Sequence, residues 1–143
     1  MDFDKIKMRD LIFASHSLEE LAVVLSQASS SLTPDSPWFF FKEAYRLRNL
    51  DEMATAREAL WKILKMNKLE TRMYLWAWNG LRELGEKPPE SLARQIQGVV
   101  LEVPMSIGLD VLSAYKDGTA RYINYSGAGI IWDTPDETSL LLV

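Results

Sequence analysis

The chain contains no cysteine and one histidine, His16. The first absence excludes disulfides, thiolate metal sites and cysteine nucleophiles together. The second excludes a multi-histidine zinc site and would leave a serine-histidine triad dependent on one imidazole; His16 is expected just before a helix, near the surface. Long apolar runs are missing as well. Hydrophobic residues make up 48% of the 143, yet no stretch approaches the roughly eighteen uninterrupted apolar residues of a membrane span. The start, "MDFDKIKMRDLIFASHS", has only the short apolar run Leu11 to Ala14, too little for a signal peptide. Nor is there an excess of basic charge. Sixteen Lys and Arg against twenty Asp and Glu leave a net charge of -4, which argues against a general binder of phosphate backbones. These absences predict a bacterial cytoplasmic protein with no cofactor or metal, which binds neither nucleic acid nor membrane.

What is present divides near residue 98. The length suits a single domain over 1–143, with a helical part over about 1–97 and a β-meander over about 98–133. Ser17 and Glu20 form a capping box, and Leu18, Leu21, Ala22, Leu25 and Ala28 follow on one helical face. Ser36 with Pro37 starts a second helix, Trp38 to about Arg48. Asp51 is the expected cap of a third, whose stripe is Met53, Ala56, Leu60, Ile63 and Leu64. The fourth, about Leu69 to Leu84, carries the apolar run Met73 to Trp78, which marks either the central helix, the favoured reading, or a helix whose second face meets a partner; Gly85 ends it at C′. Pro88 and Pro89 open a short fifth helix reaching about Gln97.

From Gly98 β-branched residues dominate without a helical period, and "GVVLEVPM" predicts a strand. A hairpin follows in "SAYKDGTARYINYSG". A two-residue turn at Asp117-Gly118 would mix both faces. A three-residue loop of Lys116, Asp117 and Gly118, with Gly118 left-handed, instead pairs Leu112 with Tyr122 and Ala114 with Ala120. That phase leaves one face wholly apolar, suited to pack on the helices. "GIIWD" makes a last strand, and "NYSGAG" before it either continues the hairpin or breaks it. The predicted fold is therefore α+β, with about five N-terminal helices packed on one face of a small antiparallel sheet of three to four strands.

The same phase puts Val111, Ser113, Tyr115, Thr119, Arg121 and Ile123 on the other face, with Tyr125 continuing the line. A guanidinium between tyrosine rings suits an anionic or planar ligand. Packing of Arg121 on Tyr115 to cover an exposed sheet is the favoured alternative. Candidate ligand- or partner-binding residues are Tyr115, Arg121, Asn124, Tyr125 and Glu102. No residue is assigned a catalytic or metal-binding role, though Glu102 or Asp110 near Arg121 leaves an enzymatic reading open as the third choice.

Ala114, Tyr115, Asp117, Gly118, Arg121, Tyr122, Asn124, Ser126 and Gly127 spell AY-x-DG-x-x-RY-x-N-x-SG, which resembles a family of uncharacterised bacterial proteins over the last third of the chain. That resemblance implies a helical N-terminal half and members that continue beyond the final strand, and it carries no activity. The close, "TPDETSLLLV", holds a helix start at Thr134, Pro135 and Glu137 followed by an apolar end. Such an end is expected to dock in a groove of the domain or of a twin subunit, or to lead into a longer protein. The preferred function is a non-enzymatic interaction or adaptor domain, with a protein partner or a homodimer. A sensor for a small anionic or planar ligand on the exposed sheet face is the alternative.

Overall fold

Ser17 opens the helix at Leu18 as its capping box requires: its N–H donates to Glu20 Oε2 at 2.8 Å and its hydroxyl accepts from the Glu20 N–H at 3.2 Å. The computed structural model describes residues 9, 10, 12–27 and 32–133. Four α-helices lie between Leu18 and Glu83: α1 Leu18–Gln27, α2 Pro37–Asn49, α3 Met53–Leu64 and α4 Thr71–Glu83. A 3-10 turn, Glu90–Arg94, stands where a fifth helix is expected, and none of its residues is buried. Without an apolar face to bury, so short a segment gains little from further helical turns. Four strands follow, β1 Gly98–Met105, β2 Gly108–Tyr115, β3 Ala120–Ile123 and β4 Gly129–Trp132, in the order β1-β2-β3-β4 with every neighbour antiparallel. The class is α+β. The chain forms two compact units, Met1–Glu90 and Ser91–Val143, and each is described by itself. The expected helix start at Thr134, and Ala28 of the first stripe, lie outside the described residues.

In the helical unit the apolar stripes are buried: Leu18, Leu21, Ala22 and Leu25 of α1, Phe41, Ala44 and Leu47 of α2, and Ala56, Ala59, Leu60 and Ile63 of α3. Helix α4 lies among all three. Its Trp76 meets Trp38 of α2 at 5.6 Å between ring centroids, and its Trp78 meets Trp61 of α3 edge-on at 5.3 Å. At Gly80 a Cβ would stand 2.9 Å from a Leu18 methyl and 3.0 Å from a Leu60 methyl, so the side-chain tips of α1 and α3 fill the space over this turn of α4. His16 is 5% exposed, not at the surface. Its ring packs edge-on against Trp76 at 6.0 Å, and its carbonyl accepts from Asn79 Nδ2 at 2.8 Å.

Two helices end in the same way. The Gly85 N–H donates to Arg82 O and the Glu86 N–H to Leu81 O, with Gly85 at φ 87°, which is a Schellman stop. After α2 the Asp51 N–H donates to Arg48 O and the Glu52 N–H to Leu47 O, with Asp51 at φ 61°. Asp51 is thus the C′ residue of α2 rather than the cap of α3, whose N-cap is Glu52. The two roles fall one residue apart because the helices are joined so tightly.

Glu83 ties the helix ends together. Its carboxylate accepts from the Leu18 N–H at 3.1 and 3.4 Å and pairs with Arg48 at 3.3 Å, joining α4 to the start of α1 and the last turn of α2. Burial raises the Glu83 pKa and outweighs the Leu18 amide and the Arg48 charge, both of which lower it.

Two outcomes follow from these contacts. Asp51→Gly relieves a left-handed residue and is expected to raise stability by about 0.5 kcal/mol in urea unfolding, the net of relieved strain and added chain entropy; a loss would show that the aspartate contributes more than its backbone position. A carboxyl with a raised folded pKa contributes its stability below the unfolded pKa and loses it as pH rises through the folded one. Thermal melts are therefore expected to show wild type gaining on Glu83→Gln as pH is lowered from neutrality, and a constant difference would contradict this.

Candidate functional site on the sheet

The β2–β3 hairpin closes through a three-residue loop. The Tyr115 N–H donates to Thr119 O at 2.9 Å, the Gly118 N–H donates to Tyr115 O at 3.0 Å, and Gly118 is left-handed at φ 84°. Asp117 Oδ1 accepts from the Thr119 N–H at 2.9 Å and from its hydroxyl at 2.7 Å. The register is the one the loop demands: Leu112 opposite Tyr122, Ser113 opposite Arg121, Ala114 opposite Ala120.

Burial falls on the other face from the one expected. Val111, Ser113, Tyr115, Thr119 and Arg121 are buried, whereas Leu112 is exposed and Ala114, Ala120 and Tyr122 are half-exposed. Pairing register decides which side chains share a face; it does not decide which face is covered. Both faces offer apolar groups, Val111, Tyr115 and Ile123 on one and Leu112, Ala114 and Tyr122 on the other. Burial of Arg121 is made tolerable by its partners. Its Nη2 donates to Asp133 Oδ1 at 2.9 Å and its Nη1 to Ala120 O at 3.3 Å, and a paired, hydrogen-bonded guanidinium can leave water where a bare one cannot.

The five candidate residues do not converge. Tyr115, Arg121 and Glu102 share the covered face, with Glu102 opposite Val111 on β1 and so two strands from Arg121. Asn124 and Tyr125 lie in the β3–β4 loop instead. Asn124 Oδ1 accepts from the Ser126 N–H at 3.0 Å, the Ser126 hydroxyl at 2.7 Å and the Ala128 N–H at 3.1 Å. The Tyr125 N–H donates to Asp110 Oδ1 at 2.9 Å, while Asp110 Oδ2 accepts from the Tyr122 hydroxyl at 2.8 Å. Asp110, open to a role as general base in the sequence, is thus a brace between β2 and the following loop. The same hydrogen bond pushes the Tyr122 phenol above its usual pKa.

The β3–β4 loop repeats the first. The Asn124 N–H donates to Ala128 O, the Gly127 N–H donates to Asn124 O, and Gly127 is left-handed at φ 88°. "YKDGT" and "NYSGA" are therefore two copies of one device, each with glycine at the fourth place. That spacing was the signal for the second turn. Asp117, Gly118, Asn124, Ser126 and Gly127 of the signature build the turns, while Arg121 and Tyr122 make the Asp133 and Asp110 contacts.

Face by face, one unassigned surface stands out. Val99, Leu101, Val103, Met105, Leu112 and Ile130 project from the face opposite Arg121, and all six are exposed, from 36% at Leu112 to 60% at Val99. On the helical unit an open groove of about 860 Å³ runs between α1 and α2, lined among others by Val23, Phe39, Tyr45, Lys42 and Arg46. Arg46 is engaged there by Glu43 at 2.6 and 2.9 Å, and that hydrogen bond holds the Glu43 carboxyl below the usual carboxylate range. Among the described residues no three His, Cys, Asp or Glu side chains gather to hold a metal ion, and no described helix is long and apolar enough to cross a membrane. No family model, no curated protein and no solved structure matches the chain.

Asn124→Ala removes the acceptor for two loop N–H groups and is expected to cost about 1–2 kcal/mol in urea unfolding. An unchanged midpoint would mean that Asn124 is free to serve a ligand.

Proposed function

We propose that the chain is a non-enzymatic protein-interaction domain that binds through the apolar face of its sheet. The observation that supports this reading is the set of six exposed side chains on that face, Val99, Leu101, Val103, Met105, Leu112 and Ile130. Together they expose on the order of 500 Å² of apolar surface, near the largest patch a monomer ordinarily leaves in water. Uncovered, such a face costs solubility; covered, it supplies the main driving force for association. The candidate polar residues favour no competing ligand reading, since Arg121 is paired with Asp133 and Asn124 and Asp110 are consumed by the hairpins.

The test is the size at which the chain elutes from native cell extract. Wild type is expected to elute within a complex that persists at high salt, because apolar contacts are not screened. Leu101→Lys with Ile130→Lys is expected to elute as a free chain with unchanged circular dichroism. A free wild-type chain, or a complex indifferent to both lysines, would overturn the reading.

A further inference from the structure

The exposed face has relief as well as apolarity. Leu101, Leu112, Tyr122 and Ile130 are successive cross-strand partners, so they form one continuous row across all four strands. The next row is Val99, Ala114, Ala120 and Trp132. Its two middle members are alanines, which leave a hollow beside the ridge of Leu112 and Tyr122. A ridge and a hollow side by side on one surface are the elements of a self-complementary contact.

We infer that this face pairs with the same face of a second copy of the chain, the ridge of each sheet seated in the alanine hollow of the other. This rests on the interaction reading above and names its partner. Consider two sheets stacked about 10 Å apart, as packed sheets are, with a two-fold axis between them that runs parallel to the rows and midway between the two. Rotation about that axis carries the ridge of one copy over the hollow of the other. Each Leu112 then meets the partner's Ala114, and the contact closes on itself as an isologous dimer.

Charge and area agree with a twin. Neither row holds a charged residue; Asp110 stands opposite Val103 in the row beyond the ridge, where its two oxygens already accept from Tyr122 and Tyr125, so it borders the contact with its hydrogen bonds made. No lysine or arginine stands in the rows to repel a second copy or to call for an acidic partner. Val99, Leu101, Leu112 and Ile130 with the half-exposed Tyr122 and Trp132 bury, over the two copies, on the order of 1,000 Å² in total, which is the low end of specific interfaces.

The experiment is light scattering on the purified full chain across micromolar concentrations. Wild type is expected at twice the chain mass. Ala114→Phe makes the face more apolar but fills the hollow, and is expected to weaken the dimer at least about tenfold, the effect of overpacking a fitted contact. Exchanging ridge and hollow, Leu112→Ala with Ala114→Leu, is expected to restore it. Leu112→Lys, solvent-facing in the single chain, keeps the test decisive should an alanine variant fail to fold: it is expected to be monomeric. Tighter association of Ala114→Phe would refute the ridge-and-hollow pairing. A monomeric wild type would overturn the twin, and if the same chain still elutes in a lysine-sensitive complex from extract, the interaction reading stands without it.

Discussion

The left-handed residue Gly118 is the constraint on which the sheet depends. It closes a three-residue loop, and that loop sets the phase of β2 against β3. A turn one residue shorter would shift the register and mix the two faces. With the phase set, Leu112 and Tyr122 stand together on one side and Ser113 and Arg121 on the other. β1 and β4 inherit the division through their own registers. The segregated apolar face is thus a consequence of one backbone conformation that glycine adopts without strain.

The second hairpin repeats this device with Gly127, and Asp110 links it back to β2 through Tyr122 and Tyr125. The polar residues of the C-terminal segment are therefore largely spent on architecture. Arg121 is satisfied by Asp133, Asn124 closes its own loop and Asp117 holds Thr119. What architecture does not use is the ridge from Leu101 to Ile130 and the hollow beside it. Function is sought there for that reason.

Capping chemistry and stripe spacing made α1 and α2 legible, because Ser17 with Glu20 and Ser36 with Pro37 act within a few residues of chain. The hairpin phase was legible on the same ground. Other features needed information that lies further off. Asp51 resembles an N-cap by residue type, and only the tight α2–α3 junction makes it a C′ residue. His16 is buried through Trp76 and Asn79, some sixty residues away in sequence. The choice of covered face was not legible, since Val111 and Tyr115 are as apolar as Leu112 and Tyr122, and the Asp133 partner that lets Arg121 be buried lies twelve residues on. The expected binding face and the expected packing face were exchanged for that single reason.

The most direct measurement is hydroxyl-radical footprinting of the purified chain, dilute and concentrated, read side chain by side chain. Leu101, Leu112, Tyr122 and Trp132 are expected to lose reactivity together on concentration, while Leu50 and Val24, exposed on the helical unit, keep theirs. Equal reactivity of the sheet residues at both concentrations would contradict it.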